Sequence, residues 1–369
     1  MANLKNTSIT NANSIKLPVG TEGERPGNSQ GRLRYNTSRQ TSEIYSGSDW
    51  IDTQVLPGRR QARVAQIPLI STGVVDNSSS ITRRDVFGTS PTFNTGPFTF
   101  SSSGVTVTEP GYYQVYTNCF FERTSGERTS SSMSFFVNNE RQNGISNSSF
   151  MRNSIDNRGG NTLSSIFLLE SGDEVGLGFS SRTGRRTPRH SLVGNSSAFY
   201  IMKLDTAETK FGRFNGSRNT NVNNQTSFVA RDYLQHISDD RNQIEGDINV
   251  LGIADLDFGY IEVTQPGIYE IHAHCFFQIT TGGDNDGGFR WSPGFRFAIN
   301  GSALPYISDS AYKRNFNNHD EASSNLKVLQ SLSAGDRITL QFRQEAEANS
   351  STNCRLIEND SIFTVRKID

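Results

Sequence analysis

Cysteine is scarce in this sequence: three residues in 369, Cys119, Cys275 and Cys354, none in a C-x-x-C pair. A disulfide framework is thereby excluded. A charge excess is missing as well. Lys and Arg total 36 against 37 Asp and Glu, a net charge of -1, so no bulk field marks nucleic acid or an anionic membrane as the partner. No run of 18 apolar residues occurs, so no transmembrane helix is expected. The opening MANLKNTSIT lacks the basic and apolar regions of a secretory leader, and a soluble product made in a reducing cytosol is expected. Apolar residues make up only 33%. A phosphate loop is absent too: the Gly-rich stretch LPVGTEGERPGNSQGRLRYN (17–36) has no Gly-Lys-Ser/Thr and no apolar strand before it.

What is present is aromatic area and turn chemistry. The 24 Phe and 11 Tyr supply large apolar surfaces, enough for compact cores. Ser, Thr, Asn and 33 Gly fill the rest, the composition of an all-β protein with polar loops.

The chain repeats itself. EPGYYQVYTNCFFE (109–122) returns as QPGIYEIHAHCFFQ (265–278), and LLESGDEVGLGF (168–179) returns as SLSAGDRITLQF (331–342). AFYIMKLD (198–205) is answered by IFTVRKID (362–369), and FFVNNE (135–140) by FAINGS (297–302). Four blocks in one order, drifting only through loop length, mark a tandem duplication of a whole domain. After each Pro-Gly the alternation is that of a strand. Tyr113, Val115, Thr117, Cys119 and Phe121 form one face, with Tyr269, Ile271, Ala273, Cys275 and Phe277 as counterparts. The opposite face is mixed, as if packed on something outside its own core: Tyr112, Gln114, Tyr116, Asn118 and Phe120, then Ile268, Glu270, His272, His274 and Phe276.

The expected architecture is all-β: a small N-terminal hairpin module (1–53), a linker (54–61), a first jelly roll (62–205), a linker (206–221) and a second jelly roll (222–369). The repeated blocks resemble the jelly roll shared by tumour necrosis factor and the globular head of the first complement component. Pro110-Gly111-Tyr113, Asn138-Asn139, Gly172-Asp173 and Phe199 carry the resemblance in the first copy; Pro266-Gly267-Tyr269, Asn300-Gly301, Gly335-Asp336 and Phe363 carry it in the second. That family forms trimers through the outer face of the sheet holding the Pro-Gly strand. The resemblance implies a homotrimer, with Tyr112, Tyr116, Phe120, His272, His274 and Phe276 toward its axis. Residues 15–52 resemble a module of bacteriophage tail-fibre and other virion proteins. Leu17, Pro18, Arg25, Arg34, Tyr35, Tyr45 and Trp50 occupy motif positions, with the arginines expected at the surface or at an interface. Physically the module reads as a hairpin that turns at Asn36-Thr37-Ser38, too small to bury a core alone.

Candidate chemistry is thin. His272 and His274 share a strand face, so copies around an axis could hold a metal or a proton switch; packed interface histidines are the plainer reading. TTGGDNDGG (280–288) is acidic but lacks the spacing of an EF-hand loop, and a solvated loop suffices. RTGRRTPRH (182–190) is a local basic loop without interleaved aromatics. No nucleophile, base or acid pair with a recognisable signature is found, so no enzyme, cofactor or metal is expected. The expectation is a structural component of a tailed-phage particle, made in the host cytoplasm. Its partners would be its own copies, neighbouring virion proteins and a host receptor or glycan. The alternatives are an adhesin tip using Trp291, Asp284 and Asp286, and a double-jelly-roll capsid subunit.

Overall fold

The computed structural model describes residues 18–25, 32–38, 41–48, 50–52, 63–71, 80–125, 129–147, 151, 157–182, 189–205, 211–215, 220–222, 225–230, 248–249, 260–279, 290–309, 313–314, 321–346, 354–357 and 360–368. The chain divides into two compact units, 1–61 and 62–369. Among the described residues there is no α-helix.

The N-terminal unit is a four-stranded sheet. Val19–Gly20 pairs in parallel with Leu33–Asn36, which pairs antiparallel with Thr41–Tyr45, and that strand pairs with Trp50–Asp52. The turn forms where Asn36 accepts a bond from the Ser38 N–H through its own side chain, at 3.0 Å.

The second unit holds two jelly-roll sandwiches built alike. In the first, one sheet runs Arg158–Leu169, Gly111–Ser125, Ala198–Lys203, Val64–Pro68, Phe93–Asn94, and the facing sheet centres on Ser130–Val137 and Glu174–Arg182. In the second, Glu321–Leu332, Gly267–Ile279 and Ile362–Lys367 form the first sheet's centre, and Arg290–Ile299 with Arg337–Ala346 the other's. Every inward residue of both Pro-Gly strands is buried, so the alternation in the sequence is the alternation of the sheet.

The recurring blocks recur for a mechanical reason. Tyr113 and Tyr269 each donate their phenol to the carbonyl just before the Pro-Gly pair, Glu109 and Gln265, at 2.7 Å. The Tyr thus bolts the entry of the strand to its own body. The Asn138-Asn139 and Asn300-Gly301 turns place all four residues at positive φ, which the two-residue hairpin requires. Asn138 donates to Asp173 at 2.6 Å and Asn300 to Asp336 at 2.7 Å, so the hairpin is tied to the Gly-Asp turn of the neighbouring strand.

One expected boundary is displaced. The segment 206–221, expected as a linker, contains the strand Phe211–Asn215, which pairs with Ile362–Lys367 just as Val64–Pro68 pairs with Ala198–Lys203. Thr220–Val222 pairs with Cys354–Leu356. The second jelly roll therefore opens at 211, not 222. The segment is poor in apolar residues, but its two phenylalanines sit three apart and so lie on opposite faces. Both are buried: Phe214 in the second core, Phe211 against the first copy. The linker 54–61 lies outside the described residues.

Candidate assembly interface

The two sandwiches meet through the mixed outer faces of their Pro-Gly sheets. Gln114 donates to Glu270 at 3.2 Å, and Asn325 donates to the Thr162 carbonyl at 3.3 Å. The Arg366 guanidinium lies 3.8 Å from the Met202 sulfur. Each pair joins equivalent positions of the repeat, 156, 163 and 164 residues apart. Glu270 is the electrostatic centre of the joint, with Arg366 and Lys327 both at 3.4 Å. Burial disfavours its charge, yet those two cations and the Gln114 amide outweigh that and hold the carboxyl below its usual range. Lys327 also lies over the Tyr116 ring, 5.6 Å from its centre.

The remaining contacts are lopsided. An edge of the first copy, residues 144–145, seats on the outer face of the second. The Ile145 carbonyl lies 2.5 Å from His274 Nε2, and the Ile145 N–H donates to the Asp360 carbonyl at 3.1 Å. Gly144 faces Ile362 so closely that any Cβ at 144 would collide with it. Arg213 donates to the Ile166 carbonyl at 3.2 Å, with its guanidinium 5.1 Å from the centre of the Phe167 ring. Phe211 packs edge-on against Tyr112 at 5.1 Å, in a small cluster with Ile166, Leu204 and Met202. Beside the joint lies a cleft of about 280 Å³ lined by Ser80, Ile81, Ser132, Arg141, Ile145, Ser180 and Glu321.

The six residues expected at an axis between chains therefore divide. His272, His274 and Phe276 are buried within a single chain, His274 against Ile145 of the first copy. For that face the expected neighbour in another chain is replaced by one in the same chain, because the tandem connection supplies the covering edge. Tyr112, Tyr116 and Phe120 stay half-exposed; Tyr116 leans on Tyr200 at 5.7 Å, and Phe120 lies beneath Arg158 at 6.0 Å. Burial pushes the His272 pKa down to about 3, helped by the Lys327 charge, and lowers that of His274 too. Both nitrogens of His274 meet oxygens, Ile145 O and the Asn325 side chain at 2.6 Å. Cys119, Cys275 and Cys354 are buried thiols whose pKa values burial raises, that of Cys119 to about 12.

In the N-terminal unit the motif residues turn inward. Glu43 is buried and takes Arg25 at 2.9 and 3.2 Å, Asn36 at 3.0 Å and Arg34 at 3.5 Å. Arg34 is buried and also donates to the Thr21 carbonyl at 2.8 Å, beside the Trp50 ring at 5.8 Å. The expectation of surface or interface arginines is thus corrected for Arg34: it holds the sheet to the preceding loop. The Arg25 bond, then the Asn36 amide and the two guanidinium charges, hold the Glu43 carboxyl below its usual range against the effect of burial. Tyr45 packs on Trp50 at 5.5 Å. Glu43 escaped the sequence reading because its partners sit at no fixed spacing. On the other side of the sheet Val19, Leu33 and Ile44 are exposed, with Leu33 and Ile44 directly opposite in the ladder and Tyr35 paired with Val19. Pro18 is exposed at the edge.

Leu17, Asp284 and Asp286 lie outside the described residues, and Trp291 is described through its backbone, paired with Ala346 and Lys313.

No protein-family model matches this chain, and no curated protein matches it. Among solved structures, Eiger TNF from S. frugiperda is 21% identical, covering 40% of this chain and 94% of its own, with a TM-score of 0.29. Murine APRIL at pH 8.5 is 15% identical, covering 38% of this chain and 99% of its own, with a TM-score of 0.27. The likeness is one of fold.

Proposed function

We propose that this chain is a self-associating structural component of a tailed-bacteriophage particle, a fibre, baseplate or head-decoration appendage of three chains made in the host cytoplasm. It works by assembly and attachment and not by catalysis. The observation that carries the reading is the build of the N-terminal unit. Its polar contacts, Arg25, Arg34 and Asn36, converge on buried Glu43, while Val19, Leu33 and Ile44 face outward. A sheet this small that fixes its interior with ions and leaves its apolar side open is suited to docking on a larger body.

The test is to purify particles from a producing culture and quantify the chain in them by mass spectrometry, for the wild type and for a Leu33→Asp, Ile44→Asp variant. The reading expects the chain in particles and the variant left in the soluble fraction while still folded. A chain absent from particles overturns the particle role, and a variant retained at wild-type level overturns the docking face.

A further inference from the structure

We propose that the cleft beside the joint binds a neutral sugar. One pyranose ring would sit on the outer face of the first sandwich's second sheet, its hydroxyls meeting Ser132, Ser180, Glu321 and Arg141. The inference goes beyond the particle role and does not depend on it.

The duplication supplies the comparison inside one chain. In the first sandwich Ser132 lies opposite Ser180 in one ladder and Asn147 in the other. In the second, Gly294 lies opposite Arg343 and Asp309 in the same two ladders. The three positions thus correspond one to one. They lie on the face turned away from the core, since Met133 and Phe179, the next residues along, point into it. The second sandwich closes this place with its own side chains. The Asp309 carboxylate sits over Gly294, where a Cβ would collide with it, and accepts from the Arg343 guanidinium at 2.6 and 3.3 Å. The first sandwich carries serines where the second has that arginine and that glycine, and there the same place is the cleft of about 280 Å³.

Its chemistry is that of a site for hydroxyl groups. Ser132 and Ser180 are 2% and 1% exposed, and neither Oγ has a hydrogen-bond partner among the described residues. A buried hydroxyl without a partner is costly, and two of them opposite each other on one wall call for a polar occupant. Each can donate and accept, as a sugar hydroxyl does. The buried Glu321 carboxylate accepts, the Arg141 guanidinium donates, and Ile81 and Ile145 offer apolar surface to the C–H face of a ring. Charge selects a neutral ligand. Arg141 is already paired with Asp360 at 3.6 Å, and Glu321 adds a second carboxylate, so an anion would meet more negative than positive charge. The volume is at the small end of ligand pockets, which run from about 300 Å³ upward, and suits one ring rather than a chain of them.

Ligand-observed saturation-transfer NMR and titration calorimetry on the full chain test this. The probes are glucose, galactose, mannose and N-acetylglucosamine, each free and as its methyl glycoside, with glucuronic acid as the anionic control. At least one neutral sugar should bind with millimolar affinity, and glucuronic acid should not. Ser132→Ala with Ser180→Ala should weaken that binding about tenfold or more. The triple variant Ser132→Gly, Asn147→Asp, Ser180→Arg transplants the second sandwich's ion pair and should abolish it. Arg343→Ala, in the second sandwich, should leave the affinity unchanged. Circular dichroism checks the fold of each variant; if the triple variant does not fold, the alanine pair decides. Binding by none of the neutral sugars, tighter binding of glucuronic acid, or wild-type affinity in the alanine pair overturns the proposal. A methyl glycoside bound as well as its free sugar upholds the site and identifies the end of a glycan chain as the source; loss of binding on methylation upholds it for the free sugar. A chain that binds sugar but is absent from particles upholds the site and overturns only the particle role.

Discussion

Phe211→Ala is the perturbation that bears most directly on how the two sandwiches are joined. Phe211 is fully buried, yet it contributes nothing to the second sandwich's own core; its neighbours are Tyr112, Ile166, Met202 and Leu204 of the first copy. Truncating a buried phenylalanine costs about 3–5 kcal/mol, the lost transfer energy plus the cavity left behind. The cluster is small, and half-buried Tyr112 and Met202 can relax into the space, so the lower end of that range, about 3 kcal/mol, is expected. Phe214→Ala, three residues away on the opposite face, sits in the second core among Ile261, Phe363 and Val365 and should cost about 4 kcal/mol. Urea unfolding followed by circular dichroism measures both. Native-state hydrogen exchange separates them: Phe211→Ala should deprotect the amides of Arg158–Leu169 in the first copy as well as its own strand, and Phe214→Ala only those of the second sandwich. A loss below about 1 kcal/mol for Phe211→Ala, with no change in first-copy exchange, would refute both the joint and the start of the second sandwich at 211.

Acid should loosen the fold before the carboxylates titrate. The pKa values of His272 and His190 are lowered by burial from 6.5 to about 3 and about 4. The native state therefore binds fewer protons than the unfolded chain between those values and 6.5, and the stability they contribute is full above 6.5 and falls with pH. At pH 5 each of these two histidines has given up about 2 kcal/mol and His274, lowered in the same direction, adds to the loss, so unfolding free energy should drop by at least about 4 kcal/mol between pH 7 and 5, and His272→Asn should remove about 2 kcal/mol of that drop; a flat profile counts against buried neutral rings. Glu43→Gln strips the charge from a carboxylate that faces two guanidinium groups, and should destabilise the N-terminal unit by about 3–5 kcal/mol while leaving the melting of residues 62–369 unchanged, as separate calorimetric transitions would report. All three thiols are buried with raised pKa values, so an aromatic disulfide reagent should react with none in native protein and with three after denaturation; prompt labelling of the native chain would contradict the packing around Cys119, Cys275 or Cys354.

The parts of the structure legible in the sequence were those encoded by local chemistry. Pro-Gly-x-Tyr marks a strand entry because the phenol reaches back four residues to a carbonyl, and Asn-Gly marks a hairpin because both residues take positive φ. Period-two alternation told inward from outward on both long strands. What stayed hidden depended on partners far along the chain. The strand Phe211–Asn215 reads as linker until Ile362–Lys367 is known to lie beside it. Glu43 looks like any surface acid until Arg25 and Arg34 converge on it. The mixed outer face was recognised as contacting something other than its own core, but not that the second copy's face would be covered by the first copy. The close seat of Gly144 on Ile362 becomes visible only once the two copies are placed together.

The native mass of the full chain, by native mass spectrometry at neutral pH, tests the central claim of self-association most directly. The account predicts a three-chain species, 3 × 40.9 or about 123 kDa. A species of 40.9 kDa that persists as the concentration is raised would contradict it.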